Sequence, residues 1–233
     1  MILRTLTTVA IAATALFTCA TAAAAQEAAD NWSFAFGAYS DNRSKGVSKT
    51  NGDPYGYADV EWQSDDGLFY VSPQLQSIDS SGGSNLEAQF AAGARPEWAG
   101  FKFDLSATYK IQVDSVEGYD DDTWEFGVDA KRAIGPAKTR LRFQYSPDST
   151  GTTEQWTWVE GQVGWEFTDK LEVSAALGYR DQENSIDYTA YNIGAVYALT
   201  DHMDAEVRWY GTDVDNPSPT YADQLVAGIS FAF

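Results

Sequence analysis

Few residues in this 233-residue sequence could carry chemistry, and their surroundings narrow what that chemistry is. The single histidine, His202, lies in the predicted turn Thr200-Asp201-His202. Hydrolysis through a Ser-His pair needs a base within reach of the nucleophile, and no serine can be nominated beside that turn. The run Tyr119-Asp120-Asp121-Asp122, near Glu117 and Asp114, offers oxygens to a divalent ion but lacks the glycine and terminal glutamate of a dedicated calcium loop. It reads as a solvated acidic tip. Glycine-rich phosphate loops and metal-ligating histidine pairs are absent. No catalytic residue, cofactor or metal site is therefore expected. What remains is charge, in two arrangements. Asp59, Lys110, Asp129, Arg140, Arg142, Glu160, Glu206 and Arg208 each stand next to apolar residues, while Arg43, Lys45 and Lys49 crowd into one short stretch.

The elements that must position these charges are strands. In FKFDLSATYKIQV, Phe101, Phe103, Leu105, Ala107, Tyr109, Ile111 and Val113 alternate with Lys102, Asp104, Ser106, Thr108, Lys110 and Gln112. Period two over that length makes one face apolar and the other polar. WEFGVDAK, TRLRFQY, KLEVSAALGYR and MDAEVRWYG repeat the pattern. Such runs predict about twelve strands, at 31–40, 54–64, 67–77, 85–95, 99–114, 122–132, 136–146, 153–168, 170–181, 185–199, 202–213 and 220–233. Strands eight and ten are the least regular: Trp156 and Trp158 precede an opposite alternation phase at Thr157, Val159, Val163 and Trp165, which a bulge or a shifted start would absorb.

The first 25 residues read as a secretory signal peptide: Arg4, an apolar stretch from Leu6 to Phe17, then small residues up to a cleavage site after Ala25. Cys19, the only cysteine, follows Thr18, a poor neighbour for a lipidated cysteine, and so leaves with the signal, taking any disulfide or thiolate site with it. Cleavage removes Arg4 and no acid, moving the formal net charge from −19 to −20 and leaving one domain, 26–233. A chain so acidic repels nucleic acid.

No remaining segment approaches the 18 or so consecutive apolar residues of a membrane helix. The strands fit a closed antiparallel transmembrane β-barrel instead, with an even strand count and connections that alternate between short and long. Short turns follow the even strands, at Ser64–Gly67, Pro96–Ala99, Ala133–Pro136, Thr168–Lys170 and Thr200–His202; longer polar loops follow the odd ones, and both termini then fall on the periplasmic side. A soluble sandwich or lipocalin-like barrel also alternates. It would bury its aromatics in mid-strand, whereas Trp62, Trp98, Trp165, Phe167 and Trp209 lie at or near strand ends, as an interfacial girdle requires. The final strand, YADQLVAGISFAF, places Leu225, Ala227, Ile229, Phe231 and Phe233 on one face and Gln224, Val226, Gly228 and Ser230 on the other. An alternating strand ending in Phe, here with Phe231 and Phe233, resembles the signal read by the bacterial barrel-assembly machinery, which implies insertion into the outer membrane of a Gram-negative bacterium.

The amino-terminal part carries a family resemblance. FGAYSDNRSKGVSKTNGDPYGYADVEW, then GLFYVSPQLQSID and NLEAQFAAGARP, resembles the opening of the TorF-like family of outer-membrane porins over roughly residues 34–95. Ser40, Asp41, Arg43, Gly46, Ser48, Thr50, Gly52 and Pro54 match the family's loop pattern; Asn42 replaces a tyrosine and Lys45 a second arginine. The resemblance implies a porin-like protein of undefined substrate and brings no catalytic residues.

Arg43, Lys45 and Lys49 form the one net-basic external loop of an acidic protein. They suit three readings: a solvated loop turning at Gly46 and Asn51-Gly52, a rim that binds lipopolysaccharide phosphates, or an inward fold that narrows a pore and meets anionic solutes. The eight alternating charges are expected to line the lumen near mid-membrane, where such positions tune selectivity. A tight turn between strands six and seven sets Asp129 against Arg140 or Arg142. Acid on one wall and arginine on another would orient dipolar solutes; full pairing would instead give a water-poor, closed interior. Eight strands fill their interior and sixteen leave a channel, so twelve lies between. The sequence thus points to a monomeric, non-enzymatic barrel amid outer-membrane lipid and lipopolysaccharide, passing small hydrophilic solutes through a narrow lumen of mixed charge. The alternative is a non-conducting structural or adhesive barrel with acidic external loops.

Overall fold

A computed structural model of the chain describes residues 31–215 and 218–233. The expected signal peptide at 1–25, with Cys19, lies outside them. Twelve long strands run antiparallel: β1 Trp32–Tyr39, β2 Tyr55–Gln63, β3 Phe69–Ser77, β4 Leu86–Ala94, β5 Phe101–Val113, β6 Asp122–Ile134, β7 Ala137–Ser146, β8 Trp156–Thr168, β9 Leu171–Gln182, β10 Tyr188–Thr200, β11 Met203–Thr212 and β12 Gln224–Ala232. Each pairs with its sequence neighbours, and β1 pairs with β12 to close the ring, with Phe36 opposite Phe231 and Ala38 opposite Ile229. Closure leaves no long edge strand unpaired. A two-residue strand, Glu97–Trp98, extends the pairing at the start of β5.

Alternation sorts the side chains as period two demands. Phe90 (55% exposed), Leu141 (67%), Val163 (61%) and Ile193 (56%) stand on the outer face, together with most of the chain's large apolar residues. A continuous apolar exterior of this kind is untenable in water and suits hydrocarbon. The phase counted back from Phe233 is the one adopted: Leu225 and Ile229 are exposed outward and Val226 is buried inward. Aromatic residues band both ends of the exterior. Tyr109 and Trp124 pack at 5.3 Å near the loop end of β5 and β6, and Phe36 stacks on Phe231 at 4.9 Å near the opposite rim.

Both ends of the described chain sit at the short-turn rim. The amide of Phe34 donates to the carbonyl of Phe233 at 3.0 Å, and the His202 ring stacks on Phe233 at 5.2 Å. His202 is thus a turn residue at that rim. Strand eight differs from expectation. Its pairing with β9 runs unshifted from Trp156 opposite Gln182 to Glu166 opposite Glu172, so no bulge re-phases the two tryptophans. Trp156 and Trp158 point into the barrel, 1% and 2% exposed, and pack with Tyr188 and Ala190. Gly178 makes room for this: a Cβ there would fall 2.2 Å from the Trp158 ring.

Candidate functional site

The inner wall and the first loop together make the site. After β1 the chain turns into the lumen instead of standing over it. Arg43–Ser44 and Val47–Ser48 form a miniature hairpin whose two turn residues, Lys45 (φ 51°) and Gly46 (φ 83°), are both left-handed. Two positive φ values define the turn that matches hairpin twist, and glycine is the residue that reaches it without strain. Asn51 (φ 54°) and Gly52 (φ 87°) repeat the device, with the Asp53 amide donating to the Thr50 carbonyl at 3.0 Å. Gly46 also meets a spatial demand, because a Cβ there would lie 2.2 Å from the Cβ of Ala190 on the far wall.

One buried carboxylate organises the loop. Asp41, 1% exposed, accepts hydrogen bonds from Ser48 Oγ at 2.5 Å and Thr50 Oγ1 at 2.9 Å and is paired with Arg43 Nε at 2.5 Å. The motif positions Asp41, Arg43, Ser48 and Thr50 are therefore one network, which satisfies a charge that burial would otherwise make costly. Asn42, which stands where the family pattern has tyrosine, donates from Nδ2 to the Ser77 carbonyl at 3.2 Å.

Two lysines then fasten the loop across the lumen. Lys45 Nζ lies 3.1 Å from Glu125 of β6, which also pairs with Lys110 of β5 at 2.8 Å. Lys49 Nζ lies 2.5 Å from Glu87 of β4, itself held by Gln76 and Gln89. Burial lowers the Lys45 ammonium to about 7, against the opposing pull of Glu125. The side chains of Arg43 and Lys45 retain only 2% and 7% of their exposure, so this basic loop is neither a solvated loop nor a rim for lipopolysaccharide phosphates. It lies inside the barrel.

Of the eight charges expected along the inner wall, Asp129, Glu160 and Arg208 are buried. Asp129 faces Arg142, not Arg140, across the β6–β7 hairpin, and the pair is bidentate, with both bonds at 2.7 Å. Arg140 reaches the other way to Glu160 on β8 at 2.5 Å. Glu206 pairs with Arg208 on its own strand at 2.6 Å, while Arg208 also donates to Asn192 at 2.8 Å and Ser174 at 3.0 Å. Asp59 accepts from Ser72 at 2.7 Å and has no cation within ion-pair distance among the described residues. Lys110 joins Glu125 as above. These residues do not converge on one point. Arginines and acids meet as local pairs around the wall, because each row of the barrel sets neighbouring strands side by side.

Sequence reading missed several participants. Glu87 and Glu125, the two acids that hold the loop, carried a usable signal: both occupy inward phases of their strands, Glu125 four residues from Asp129. Arg95, bidentate to Glu61 at 2.7 Å with its guanidinium 3.9 Å over the Tyr70 ring, follows the last residue of β4. Tyr39, Tyr55 and Tyr57 form an inward row with centroid separations of 5.7 to 6.4 Å.

Free space is unequal along the axis. At the short-turn end lie two adjoining cavities of about 380 and 510 Å³, which share Lys102 and Lys131. Farther in, the space divides into two hollows of about 150 Å³, one bounded by Asp104, Asp129 and Arg142, the other by Tyr39, Arg43 and Arg208. At the loop end the hairpin and the Trp156 cluster occupy the lumen. The two larger cavities thus lie at the short-turn end and the two smaller ones nearer the middle and the first loop.

With this geometry in hand, comparison with known proteins gives a consistent result. The family model for Gram-negative porins matches residues 67–216. Sequence comparison with curated proteins finds no match. Among solved structures, the KdgM porin superposes with a TM-score of 0.61 at 8% identity, covering 86% of this chain and 99% of that one. The NanC porin gives 0.58 at 9% identity, over 86% and 98% of the two chains. The COG4313 outer membrane channel from Pseudomonas putida F1 gives 0.57 at 13%, over 89% and 97%. At such identities these likenesses speak for the fold, while the family match spans well over half of the sequence. The chain belongs to the Gram-negative porin family and is a channel-forming barrel of the outer membrane.

Proposed function

We propose that this barrel is a monomeric, non-catalytic pore whose first loop sets a narrow passage for small hydrophilic solutes. The observation that carries the reading is how the loop is held. Ion pairs to Glu125 and Glu87 anchor it to the β4 and β6 wall, and charged hollows lie beside Asp129–Arg142 and beside Arg43–Arg208. Charged, hydrogen-bonding walls exchange contacts with a hydrated solute at little cost, whereas an apolar plug would exclude it. The wall mixes paired charges, such as Arg140 with Glu160 and Lys131 with Asp129, with acids such as Asp59 and Asp204 that have no ion-pair partner among the described residues, a lining that favours hydrophilic solutes over apolar ones.

In this reading the short turns and both termini face the periplasm, the terminal Phe231 and Phe233 are read by the barrel-assembly machinery, and the loops meet lipopolysaccharide. The Asp41 network fits membership in the TorF-like group within the porins, since it joins four of that group's loop positions. Planar-bilayer recording on refolded protein is the direct test. Discrete steps of small conductance are expected, and no current above background would sink the channel reading in favour of a structural barrel, to which the close packing around Trp156 and Trp158 also lends itself. If current flows, Arg140→Glu with Arg142→Glu should shift the reversal potential toward cation preference, and an unchanged potential would remove these residues from the permeation path.

A further inference from the structure

The loop end of the lumen holds more positive charge and more hydrogen-bond donors than its own residues satisfy. Trp158, Arg180 and Tyr188 form one cross-strand row on β8, β9 and β10, and Trp156 stands one inward step beyond it. The Lys45 ammonium and the Arg180 guanidinium each lie 4.4 Å from the centroid of the Trp156 ring. Two cations on one ring repel each other, and cation–π attraction offsets only part of that in a desolvated place.

Nearby acid does not balance them. Glu125 is shared by Lys45 and Lys110, and no carboxylate comes within 4.0 Å of Arg180 among the described residues. Three cations therefore surround one anion. Two donors in the same cluster are also buried without a hydrogen-bond partner, Trp156 Nε1 and Arg180 Nε, while the Tyr188 hydroxyl oxygen lies within hydrogen-bonding reach of the Arg180 side chain and keeps its own O–H to donate. Trp156 and Tyr188 are 1% and 2% exposed, so bulk water does not reach them. Buried donors left unpaired destabilise the fold unless a ligand accepts from them. A fold with a surplus of two charges and two idle donors in one spot is arranged for a negative partner.

The geometry points to a binding site for one small anion, a halide or a carboxylate group, held beneath the hairpin tip between Arg180, Trp156 Nε1, the Tyr188 hydroxyl and Lys45. Arg180 supplies the charge that has no internal partner, Trp156 and Tyr188 supply neutral donors, and Lys45 brings the loop. A bound anion would join the loop to the β8–β10 wall, so its occupancy also secures the loop in the lumen. The site rests on the barrel fold alone and stands whether or not the pore conducts.

Bromide reports on it directly. Crystals of the refolded full barrel, grown in sodium bromide and measured at the bromine edge, should show an anomalous peak within hydrogen-bonding range of Arg180 Nε and Trp156 Nε1, displaced by acetate at equal ionic strength. Arg180→Met should abolish the peak. Trp156→Phe keeps the ring, loses one donor and should weaken bromide about tenfold, the worth of one hydrogen bond to a charged partner; it serves if the arginine variant does not fold. Absence of a peak in the parent barrel, non-anomalous density of a water in its place, or a peak that persists undiminished in both variants would overturn the site.

Discussion

Replacing Gly46 by alanine tests whether the first loop lives inside the barrel. The substitution has two costs. At φ 83° an L-residue pays roughly 1–2 kcal/mol for the left-handed conformation. Its Cβ would also meet the Ala190 Cβ at 2.2 Å, and forcing an added carbon into a filled space costs roughly 1–3 kcal/mol. Together they disfavour the docked loop by about 2–5 kcal/mol, a roughly 30-fold to several-thousand-fold shift toward the undocked loop at tenfold per 1.4 kcal/mol. Ala190→Gly removes the steric part, since the next nearest atom, the Ala190 Cα, is 3.6 Å away. The double variant should keep only the backbone cost.

A thiol at Val47 reads this out. Val47 packs against the Trp156 cluster, and Cys19, the chain's only cysteine, lies in the predicted signal peptide. When opening and closing are fast, the labelling rate by a membrane-impermeant methanethiosulfonate follows the open fraction of the loop. Val47→Cys should label slowly. Adding Gly46→Ala should raise the rate at least tenfold, and adding Ala190→Gly as well should recover part of that protection. Equal rates in all three would refute the inward loop and every argument built on Lys45 and Lys49.

Three further outcomes follow from the same geometry. Arg142→Met strands Asp129, which is 9% exposed at its side chain, but the arginine retains 31%, so lumenal water screens the pair; a loss of about 2 kcal/mol is expected in denaturant unfolding, largely recovered when Asp129→Asn is added. As pH rises through about 7 the Lys45 ammonium loses its proton, the passage gains one net negative charge, and the reversal potential should move toward cations between pH 5.5 and 8.5; Lys45→Met should remove that step while His202→Gln, at the opposite rim, leaves it in place. Gly178→Ala sets a carbon 2.2 Å from the Trp158 ring and should lower the barrel's unfolding free energy by about 1–3 kcal/mol, with unchanged stability arguing that Trp158 is not packed inside.

Period two made most of the wall readable, because lipid and lumen differ so sharply that a strand's two faces cannot be exchanged. Where the signal failed, the failure has a specific cause. Asp129 had two eligible partners because the turn around Gly135 could be centred at either of two places one residue apart; the structure pairs Ile134 with Ala137, and that single step exchanges Arg140 for Arg142. Trp156 and Trp158 looked misplaced because hydropathy says that a tryptophan is shielded from water without saying by what. Lipid shields Trp165 on the outer face, and a folded loop shields Trp156 on the inner one, in the same strand and the same register. The loop's path was the least legible feature, since nothing periodic encodes it. Its holding contacts join residues 80 and 38 positions apart, Lys45 with Glu125 and Lys49 with Glu87, and such pairs exist only once the barrel has closed. The loop motif was visible as a pattern of Asp41, Arg43, Ser48 and Thr50, yet its meaning is physical: a carboxylate taken out of water must be given partners from its own loop before that loop can enter the lumen. Those residues thus make the inward fold possible, and the two strand acids determine where it comes to rest.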